Sequence, residues 1–421
     1  MNRLSMWVGV VLVALVAAGA RGQSQLQKGD YVAVVGDSIT EQKMYSVFIE
    51  DYLVMCQPAP QLRQTQFGWS GETSWGFERR MTNDMLRFKP LVATTCFGMN
   101  DGGYGPMTEE KANRYRQAQS SIVRRMKQAG VRFIVVGSPG CVDVKTFRGG
   151  NREQSDVYNK TLASLRDIAR EVAQSEGTAF ADVYDPMYDV MTRAEAKYGN
   201  GYHVAGGDGV HPDANGHLVM AYAFLKGLGC RGEIGTITVN VADNKADATD
   251  GHKVLSVNNG SVEIESSRYP FCFYGDDPAK TSSTRGVLEF LPFNQDLNRF
   301  MLVVHGAGSP KVKVTWGDAA REFDAAQLEQ GVNLAAEFLD TPFASAFRDV
   351  EQQIRHKQDV ETPLVKEAIN QIPRVEHLAP AAKEPLEQAA ARGIESDKDL
   401  SEAITVSVLP VKHTIKLEPV R

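Results

Sequence analysis

The stretch Tyr31-Val32-Ala33-Val34-Val35-Gly36-Asp37-Ser38-Ile39-Thr40 decides the fold of this 421-residue chain. Its first five residues form an apolar, valine-rich run that is typical of a buried parallel strand. Apolar residues at helical spacing follow from Tyr45 to Leu53, so a helix is expected soon after the turn. Ser38 therefore lies where a strand ends and a helix begins, which is where open α/β sheets bind ligands. The alternative role for Ser38 or Thr40 is to cap that helix.

Strand and helix signals alternate from about residue 30 to residue 229. Five apolar runs predict strands over Tyr31–Val35, Leu62–Phe67, Leu91–Phe97, Val131–Val136 and Thr178–Val183. Helical spacing predicts helices over Thr108–Ala129, Val157–Val172 and Asp213–Gly229. Strands that alternate with helices indicate an α/β fold with a parallel, doubly wound sheet. We expect this domain to span residues 28–230.

A different pattern begins near residue 233. Short β-like runs separated by Asn, Gly, Asp and Pro predict a small antiparallel β-rich accessory module over residues 233–320. These runs are Thr236–Val241, Val254–Val257, Ser261–Ile264, Gly286–Phe290, Phe300–Val304 and Val312–Thr315. Residues 321–421 are expected to form a helical and extended C-terminal region. Its predicted helices are Phe323–Leu339, Ala346–His356 and Thr362–Ile372, followed by alternating runs at Ala403–Leu409 and His413–Leu417.

The first twenty residues have the composition of a secretory signal peptide. Arg3 gives a positive start, Met6 to Ala17 an apolar segment, and Ala18-Gly19-Ala20 a small-residue cleavage site. A membrane anchor is the alternative, but it requires a longer apolar span. We therefore expect an exported periplasmic or extracellular protein with no stable membrane anchor after cleavage.

Composition narrows the range of partners. With a net charge of −6, 43% apolar and 23% charged residues, the chain is typical of a globular protein and gives no basis for nucleic-acid binding.

Cys96 lies inside a predicted strand, whereas the spacing of the other cysteines decides no pairing. The others are Cys56, Cys141, Cys230 and Cys272. Histidines are not clustered at metal-ligand spacing, so we predict neither a metal nor a cofactor. The sequence does not define an oligomeric state.

Three further blocks follow predicted strands or precede the last helix. They are Trp69-Ser70-Gly71-Glu72-Thr73, Gly98-Met99-Asn100-Asp101 and Asp208-Gly209-Val210-His211-Pro212. Together with Gly36 to Thr40, these blocks resemble in order and spacing the SGNH (GDSL-type) serine esterase family, over roughly residues 30–229. The resemblance implies a flavodoxin-like three-layer α/β/α sandwich and hydrolysis of carboxylic esters.

The resemblance also implies a role for each block. Ser38 would be the nucleophile, His211 the base and Asp208 the group that orients the imidazole. The backbone N–H groups of Ser38 and Gly71 and the side-chain amide of Asn100 would form the oxyanion hole. Ordinary turn and loop positions are the alternative for each residue alone. Because these residues all fall at carboxyl ends of predicted strands or in one loop, we expect them to meet in one crevice.

Weaker signals surround the blocks. Trp69 and Tyr104 are candidates for stacking on a sugar ring, with ordinary half-buried aromatic packing as the alternative. His203 is a candidate substrate contact at the edge of the crevice. Family members often have an asparagine shortly before the second-block glycine, where this chain has Gln66-Phe67-Gly68-Trp69. That departure affects the hydrogen bonding expected around the oxyanion hole.

These observations predict a secreted serine esterase that acts on O-acetyl or other short acyl esters of carbohydrates. Its partner would be a small-molecule or polysaccharide ester. One alternative is a lipid or thioester acylhydrolase of the same family, which would require a long apolar groove. The other is a non-catalytic carbohydrate-binding or scaffold protein. For residues 233–421 we expect structural support, with a contribution to substrate choice as the alternative.

Overall fold

The computed structural model describes residues 25–420, so the predicted signal peptide lies outside the described residues. The elements of the first half are β1 (Tyr31–Gly36), α1 (Ser38–Glu41), α2 (Tyr45–Asp51), β2 (Arg63–Gly68), α3 (Ser74–Arg80), β3 (Val92–Cys96), α4 (Glu109–Gln128), β4 (Phe133–Gly137), α5 (Arg152–Glu176), β5 (Ala179–Ala181), α6 (Tyr184–Tyr198) and α7 (Ala214–Gly227). All five predicted strands form close to their predicted bounds. Helix α6 was not predicted; its Pro186 lies in the first turn, where proline is tolerated.

These strands form one parallel sheet in the order β2-β1-β3-β4-β5. Every residue of β1 and β3 is buried, as expected for strands covered on both faces. Helix α2 packs on α7, whereas α3 packs on α4 and α4 packs on α5. The prediction of a parallel α/β sheet with flanking helices is confirmed. The carboxyl-terminal edge of this sheet brings together the turns after β1, β2 and β3.

The second half contains further sheets and helices. Its elements are β6 (Glu233–Asn240), β7 (Lys245–Ala248), β8 (His252–Asn258), β9 (Ser261–Ser266), α8 (Phe293–Asp296), β10 (Arg299–His305), β11 (Lys311–Trp316), β12 (Ala319–Asp324), α9 (Ala325–Gln330), β13 (Val332–Asn333), α10 (Leu334–Glu337), α11 (Ala344–Pro363), α12 (Ile372–Leu378), α13 (Lys383–Ser407) and β14 (Val411–Pro419). One sheet has the order β13-β10-β6-β7 and the other β12-β11-β14-β9-β8.

Some predictions for this half were wrong. Strands β6 and β10 pair in parallel, so the accessory module is not purely antiparallel. The run Gly286–Phe290 forms turns instead of a strand. The run Ala403–Leu409 lies mostly in α13, whose buried residues are Ala390, Asp397, Ser401 and Ile404. Because that buried face is largely small or polar, it lacks the apolar period by which a helix is recognised.

The C-terminal helices cover the edge strand β2. The backbone N–H of Gln66 donates to the Glu361 carboxylate at 2.9 Å. The Lys357 ammonium donates to the Gln64 carbonyl at 2.7 Å, and the Thr65 hydroxyl to Asp397 at 2.7 Å. An exposed edge strand carries unpaired backbone groups. Here the α11 side chains Lys357 and Glu361 bond backbone groups of β2, while Asp397 of α13 bonds the Thr65 hydroxyl, so these helices pack as part of the α/β core.

Two further features concern the described residues as a whole. All five cysteines are buried free thiols, so no disulfide joins them within residues 25–420. In the same range, no helix combines the length and the apolar character that a membrane crossing requires. The predicted boundaries at residues 230 and 320 stay predictions, although β14 places residues 411–419 between β9 and β11.

Candidate active site

The turn after β1 exposes the Ser38 hydroxyl. A Cβ on Gly36 would lie 2.0 Å from the Thr40 hydroxyl oxygen, so this position requires glycine. Asp37 caps α1, because its carboxylate accepts the Ile39 N–H at 3.0 Å. The Thr40 hydroxyl shares a hydrogen bond of 2.7 Å with the Tyr45 hydroxyl. Capping is thus done by Asp37 and not by Ser38.

Ser38, His211 and Asp208 form a continuous hydrogen-bonded chain. The Ser38 Oγ lies 2.8 Å from His211 Nε2, and His211 Nδ1 lies 2.7 Å from Asp208 Oδ2. An ionised carboxylate can only accept, so Nδ1 carries the imidazole proton and Nε2 accepts from the serine hydroxyl. Ser38 and His211 are 173 residues apart in the sequence, and the fold brings them into hydrogen-bonding contact.

The Asp208 carboxyl is held in its ionised form. Burial on its own would raise its pKa, but the backbone N–H and the imidazole of His211 and the N–H of Val210 outweigh that effect, and the pKa is lowered. Both backbone donors lie 2.8 Å from Oδ1, which leaves Oδ2 for the imidazole. The side chain of Asp208 is 56% exposed and that of His211 is 35% exposed. The pair is therefore open to a ligand from solvent.

The loop that carries Asp208 and His211 is fixed by neighbouring backbone. Gly209 has a φ of +82°, and a Cβ there would lie 2.3 Å from the Phe147 nitrogen. The N–H of Asp143 donates to the Gly209 carbonyl at 3.0 Å. The Thr146 hydroxyl donates to the Gly206 carbonyl at 2.9 Å. The loop after β4 thus sets the position of the catalytic candidates.

The turn after β2 presents Gly71. The N–H of Glu72 donates to the Trp69 carbonyl at 3.1 Å, and Gly71 has a φ of +73° at the third position of the turn. This is the geometry of a type II turn, which favours glycine there. A Cβ on Gly71 would meet no atom within 4 Å, so backbone conformation and not space selects glycine.

Asn100, after β3, has a fixed amide. Its Nδ2 donates to the Glu72 carbonyl at 2.9 Å, and its Oδ1 accepts from the Tyr104 hydroxyl at 3.0 Å. These two partners set which end of the amide carries the hydrogens. The amide has two hydrogens, so one is left for a ligand. The bond to Glu72 also ties the turn after β3 to the turn after β2.

Two buried carboxyls, those of Asp37 and Asp101, accept hydrogen bonds from backbone N–H groups around these turns. Burial raises the pKa of Asp37 to about 7 and that of Asp101 to about 6. Asp101 accepts the N–H groups of Ser74 at 3.0 Å and Gly98 at 3.1 Å, as well as the Ser74 hydroxyl. Asp37 serves its local turn, as turn hydrogen bonding predicts, whereas Asp101 also joins its turn to the start of α3 through Ser74.

The weaker candidates have varied environments. The Trp69 ring lies under the Arg80 guanidinium at 4.6 Å and the Lys366 ammonium at 4.8 Å. Tyr104 stacks on Tyr158 at 5.2 Å between ring centroids. His203 does not contact the Ser38–His211 pair in any described hydrogen bond; its Nδ1 lies 3.5 Å from an Asp143 carboxylate oxygen.

One part of the surroundings was missed from the sequence. Glu41, in the last turn of α1, accepts both the Ser70 N–H and the Lys366 ammonium, the latter at 2.6 Å. Lys366 thus acts on the Gly71 turn through Glu41, which lies 325 residues before it in the chain. No motif links these positions, so only the packing of the C-terminal region could reveal them.

Residues 34–219 match the GDSL-like Lipase/Acylhydrolase family, and this part of the chain belongs to that family. The protein is therefore an ester hydrolase of the SGNH class. The four blocks singled out from the sequence all lie within or at the edge of the matched range. The predicted family and enzyme class are confirmed.

Individual proteins are also similar to this chain. An acetylxylan esterase of Geobacillus stearothermophilus is 23% identical over 227 residues, which cover 49% of this chain and 96% of the relative. A gut microbial diltiazem-metabolizing enzyme has a similar structure, with a TM-score of 0.69 and 22% identity over 95% of this chain and 100% of that one. A mutant structure of the Geobacillus stearothermophilus acetylxylan esterase has a TM-score of 0.40, with 19% identity over 48% of this chain and 96% of that one. The second comparison shows that the fold extends through the C-terminal half.

Proposed function

We propose that Ser38, His211 and Asp208 hydrolyse short acyl esters, with O-acetyl groups on carbohydrates as substrates. The observation that carries this proposal is the hydrogen-bonded chain from the Ser38 hydroxyl through the imidazole to the Asp208 carboxylate. A serine hydroxyl is a weak nucleophile unless a base accepts its proton. His211 Nε2 is placed to do so, and Asp208 stabilises the imidazolium that forms.

The reaction proceeds in two acyl transfers. Ser38 Oγ attacks the ester carbonyl carbon while its proton passes to His211 Nε2. The tetrahedral intermediate then expels the alcohol, whose oxygen takes that proton from the imidazolium. Water then attacks the acyl-serine while its proton passes to the same nitrogen. The second tetrahedral intermediate expels Ser38 Oγ, which takes that proton from the imidazolium as the carboxylic acid is released.

The proposed oxyanion hole has three donors, the N–H groups of Ser38 and Gly71 and the side-chain amide of Asn100. Ser38 is the first residue of α1, so its N–H has no acceptor within the helix. The Gly71 N–H lies in the turn fixed by Glu41 and Asn100, and the Asn100 amide supplies a further hydrogen. Donors of this kind act strongly because they are preorganised before charge develops.

The surroundings of Asn100 support a small acyl group. The Tyr104 hydroxyl is bonded to Asn100, and its ring stacks on Tyr158 and Phe147. A large side chain therefore occupies the space next to an oxyanion donor. We expect this aromatic stack to limit the room for an acyl chain beside Asn100. This supports acetyl esters over the long-chain esters that a lipid hydrolase takes.

Three observations support carbohydrate esters and an exported enzyme. The acetylxylan esterase of Geobacillus stearothermophilus resembles this chain across the α/β domain. The open position of His211 suits an ester carried on a bulky alcohol such as a sugar chain. The signal-peptide composition of residues 1–20 supports action in the periplasm or outside the cell.

Aryl ester hydrolysis by the purified protein tests the proposal. We expect acetyl esters to be cleaved faster than octanoyl esters, and Ser38→Ala to abolish both activities. Ser164→Ala is the matched control, because Ser164 lies on α5 and its hydroxyl bonds only the Lys160 carbonyl. Activity that survives in Ser38→Ala would refute the serine mechanism. Preference for octanoyl esters would instead favour a lipid or thioester hydrolase.

The alcohol part requires a separate assay. Release of acetate from acetylated xylan, and from a panel of other acetylated polysaccharides, compares natural substrates directly. Acetate release that depends on Ser38 supports the carbohydrate assignment. Cleavage of aryl acetates with no release from any polysaccharide would remove it and leave a small-molecule esterase.

A further inference from the structure

Three polar side chains that ester hydrolysis does not use meet at one point. Asp143 lies in the loop after β4, Glu195 in α6 and His203 between α6 and α7. One oxygen or nitrogen atom from each lies within 4.8 Å of the other two. Among the hydrogen bonds of residues 25–420, no member of the cluster bonds Ser38 or His211.

Each member of this cluster has a buried polar atom without a hydrogen-bond partner. These atoms are Asp143 Oδ2, Glu195 Oε1 and His203 Nδ1. The Asp143 side chain is 0% exposed, and its other oxygen accepts the Lys145 N–H at 2.8 Å. Oδ2 faces His203 Nδ1 at 3.5 Å, which is too long for a good hydrogen bond. Buried polar atoms are nearly always satisfied, so three such atoms facing each other point to a missing partner.

We propose that Asp143, Glu195 and His203 bind one divalent cation of the zinc type. Two carboxylates and an imidazole are a ligand set that Zn²⁺ accepts, whereas Mg²⁺ and Ca²⁺ prefer oxygen ligands alone. With metal–ligand distances of ~2.1 Å, tetrahedral ligands lie about 3.4 Å apart. The 3.5 Å between Asp143 Oδ2 and His203 Nδ1 matches that spacing. Water completes the coordination from the half-exposed side of Glu195 and His203.

The electrostatics of the cluster fit a bound cation. Ligand atoms of Asp143 and Glu195 lie within 4.8 Å of each other, so the two carboxylates repel. A divalent ion would remove this repulsion. The basic residues Lys145 and Arg152 follow Asp143 closely in the sequence. Within residues 25–420 neither forms an ion pair with the three ligands, so the ligand oxygens remain available.

The cation would be structural. The Asp143 N–H donates to the carbonyl of Gly209, which lies between Asp208 and His211. Fixing Asp143 and His203 around one ion therefore joins the loop after β4 to the loop of the catalytic candidates. No bond of the ester reaction is made or broken at the ion.

Zinc titration of the metal-free protein tests this site. The full chain, without a histidine tag and after treatment with EDTA, is titrated with ZnCl₂ in a calorimeter. We expect one Zn²⁺ per chain. Asp143→Asn, Glu195→Gln and His203→Gln should each weaken binding by at least about tenfold, since even groups that only support ligands contribute that much. His305→Gln is the matched control, because His305 faces Glu329 at 3.7 Å in an exposed pair elsewhere.

The possible results separate this site from others. Binding that is lost in His211→Gln but kept in His203→Gln would place zinc on the catalytic candidates and overturn the proposal, as would unchanged binding in all three ligand variants. Crystals of the wild-type protein soaked in ZnCl₂ give a test that does not depend on variants folding. An anomalous peak between the three side chains supports the site, and its absence there refutes it.

Discussion

Replacing Lys357 with methionine removes a buried charge from the contact between α11 and β2. Lys357 is 1% exposed and lies 2.9 Å from Glu50, and it also pairs with Glu361. Burial works against its charge, but Glu361 and Glu50 outweigh burial and raise the pKa of Lys357. Methionine keeps most of the apolar stem but removes the ammonium from both carboxyls and from the Gln64 carbonyl; Gln358 and the Gln66 N–H still donate to Glu50 and Glu361.

The expected loss follows from the burial of the partners. Removing one partner of a buried ion pair costs about 3–5 kcal/mol, because the remaining charge is left uncompensated. Burial already raises the pKa of Glu50 and Glu361, and loss of the ammonium raises it further. A carboxyl that is protonated in the folded state but ionised in the unfolded state makes stability depend on pH. Each such carboxyl lowers the free energy of unfolding by ~1.4 kcal/mol for every unit by which the pH rises. The variant should therefore be much less stable at pH 7.5 than at pH 5.5.

Urea unfolding at both pH values measures this loss. Circular dichroism and tryptophan fluorescence should give coincident transitions before free energies are compared. Lys398→Met is the matched control, because Lys398 pairs with Glu395 at 2.8 Å but is 41% exposed. The control should change stability little at either pH. A loss below ~1 kcal/mol for Lys357→Met, or one independent of pH, would refute the charge argument.

Three further predictions concern the site itself. Asn100→Ala should lower kcat by ~10²–10³ with little change in KM, measured on an aryl acetate; an unchanged kcat would exclude this amide from the oxyanion hole. Asp37→Asn should keep the cap on Ile39 but remove a carboxyl whose pKa is about 7 when folded. Because the folded pKa of Asp37 is raised, this carboxyl makes wild type less stable as the pH rises from 4 to 7. The variant lacks the carboxyl, so its stability in thermal unfolding should fall less over that range. Lys366→Met should lower kcat by loosening the Gly71 turn, with Lys383→Met as a surface control; equal kcat values would contradict that link.

The sequence allowed the α/β half to be predicted because its signals are local. Valine-rich strands such as β1 and β3 are buried on both faces, so composition alone identifies them. Ser38, Gly71, Asn100 and His211 stand out because each sits in a short block at a strand end or before a helix. Their distances, and the capping role of Asp37, required the structure.

The C-terminal half could not be predicted as well, because its stabilising contacts are distant and polar. Gln64 and Gln66 in β2 gave no sign that Lys357 and Glu361 would pair with their backbone. Helix α13 buries Asp397 and Ser401 instead of an apolar stripe. The cluster of Asp143, Glu195 and His203 comes from three separate segments, so no spacing rule finds it.

The position of β14 affects the timing of assembly. This strand follows every other strand of its sheet in the chain, yet it lies between β9 and β11 at the centre. During synthesis the sheet cannot close until residues 411–419 have left the ribosome, and β2 stays uncovered until α11 and α13 have formed. Pairings between segments so far apart form slowly. Under the proposed export the chain would cross a membrane unfolded, and this late-arriving central strand would delay closure of its sheet until after that step.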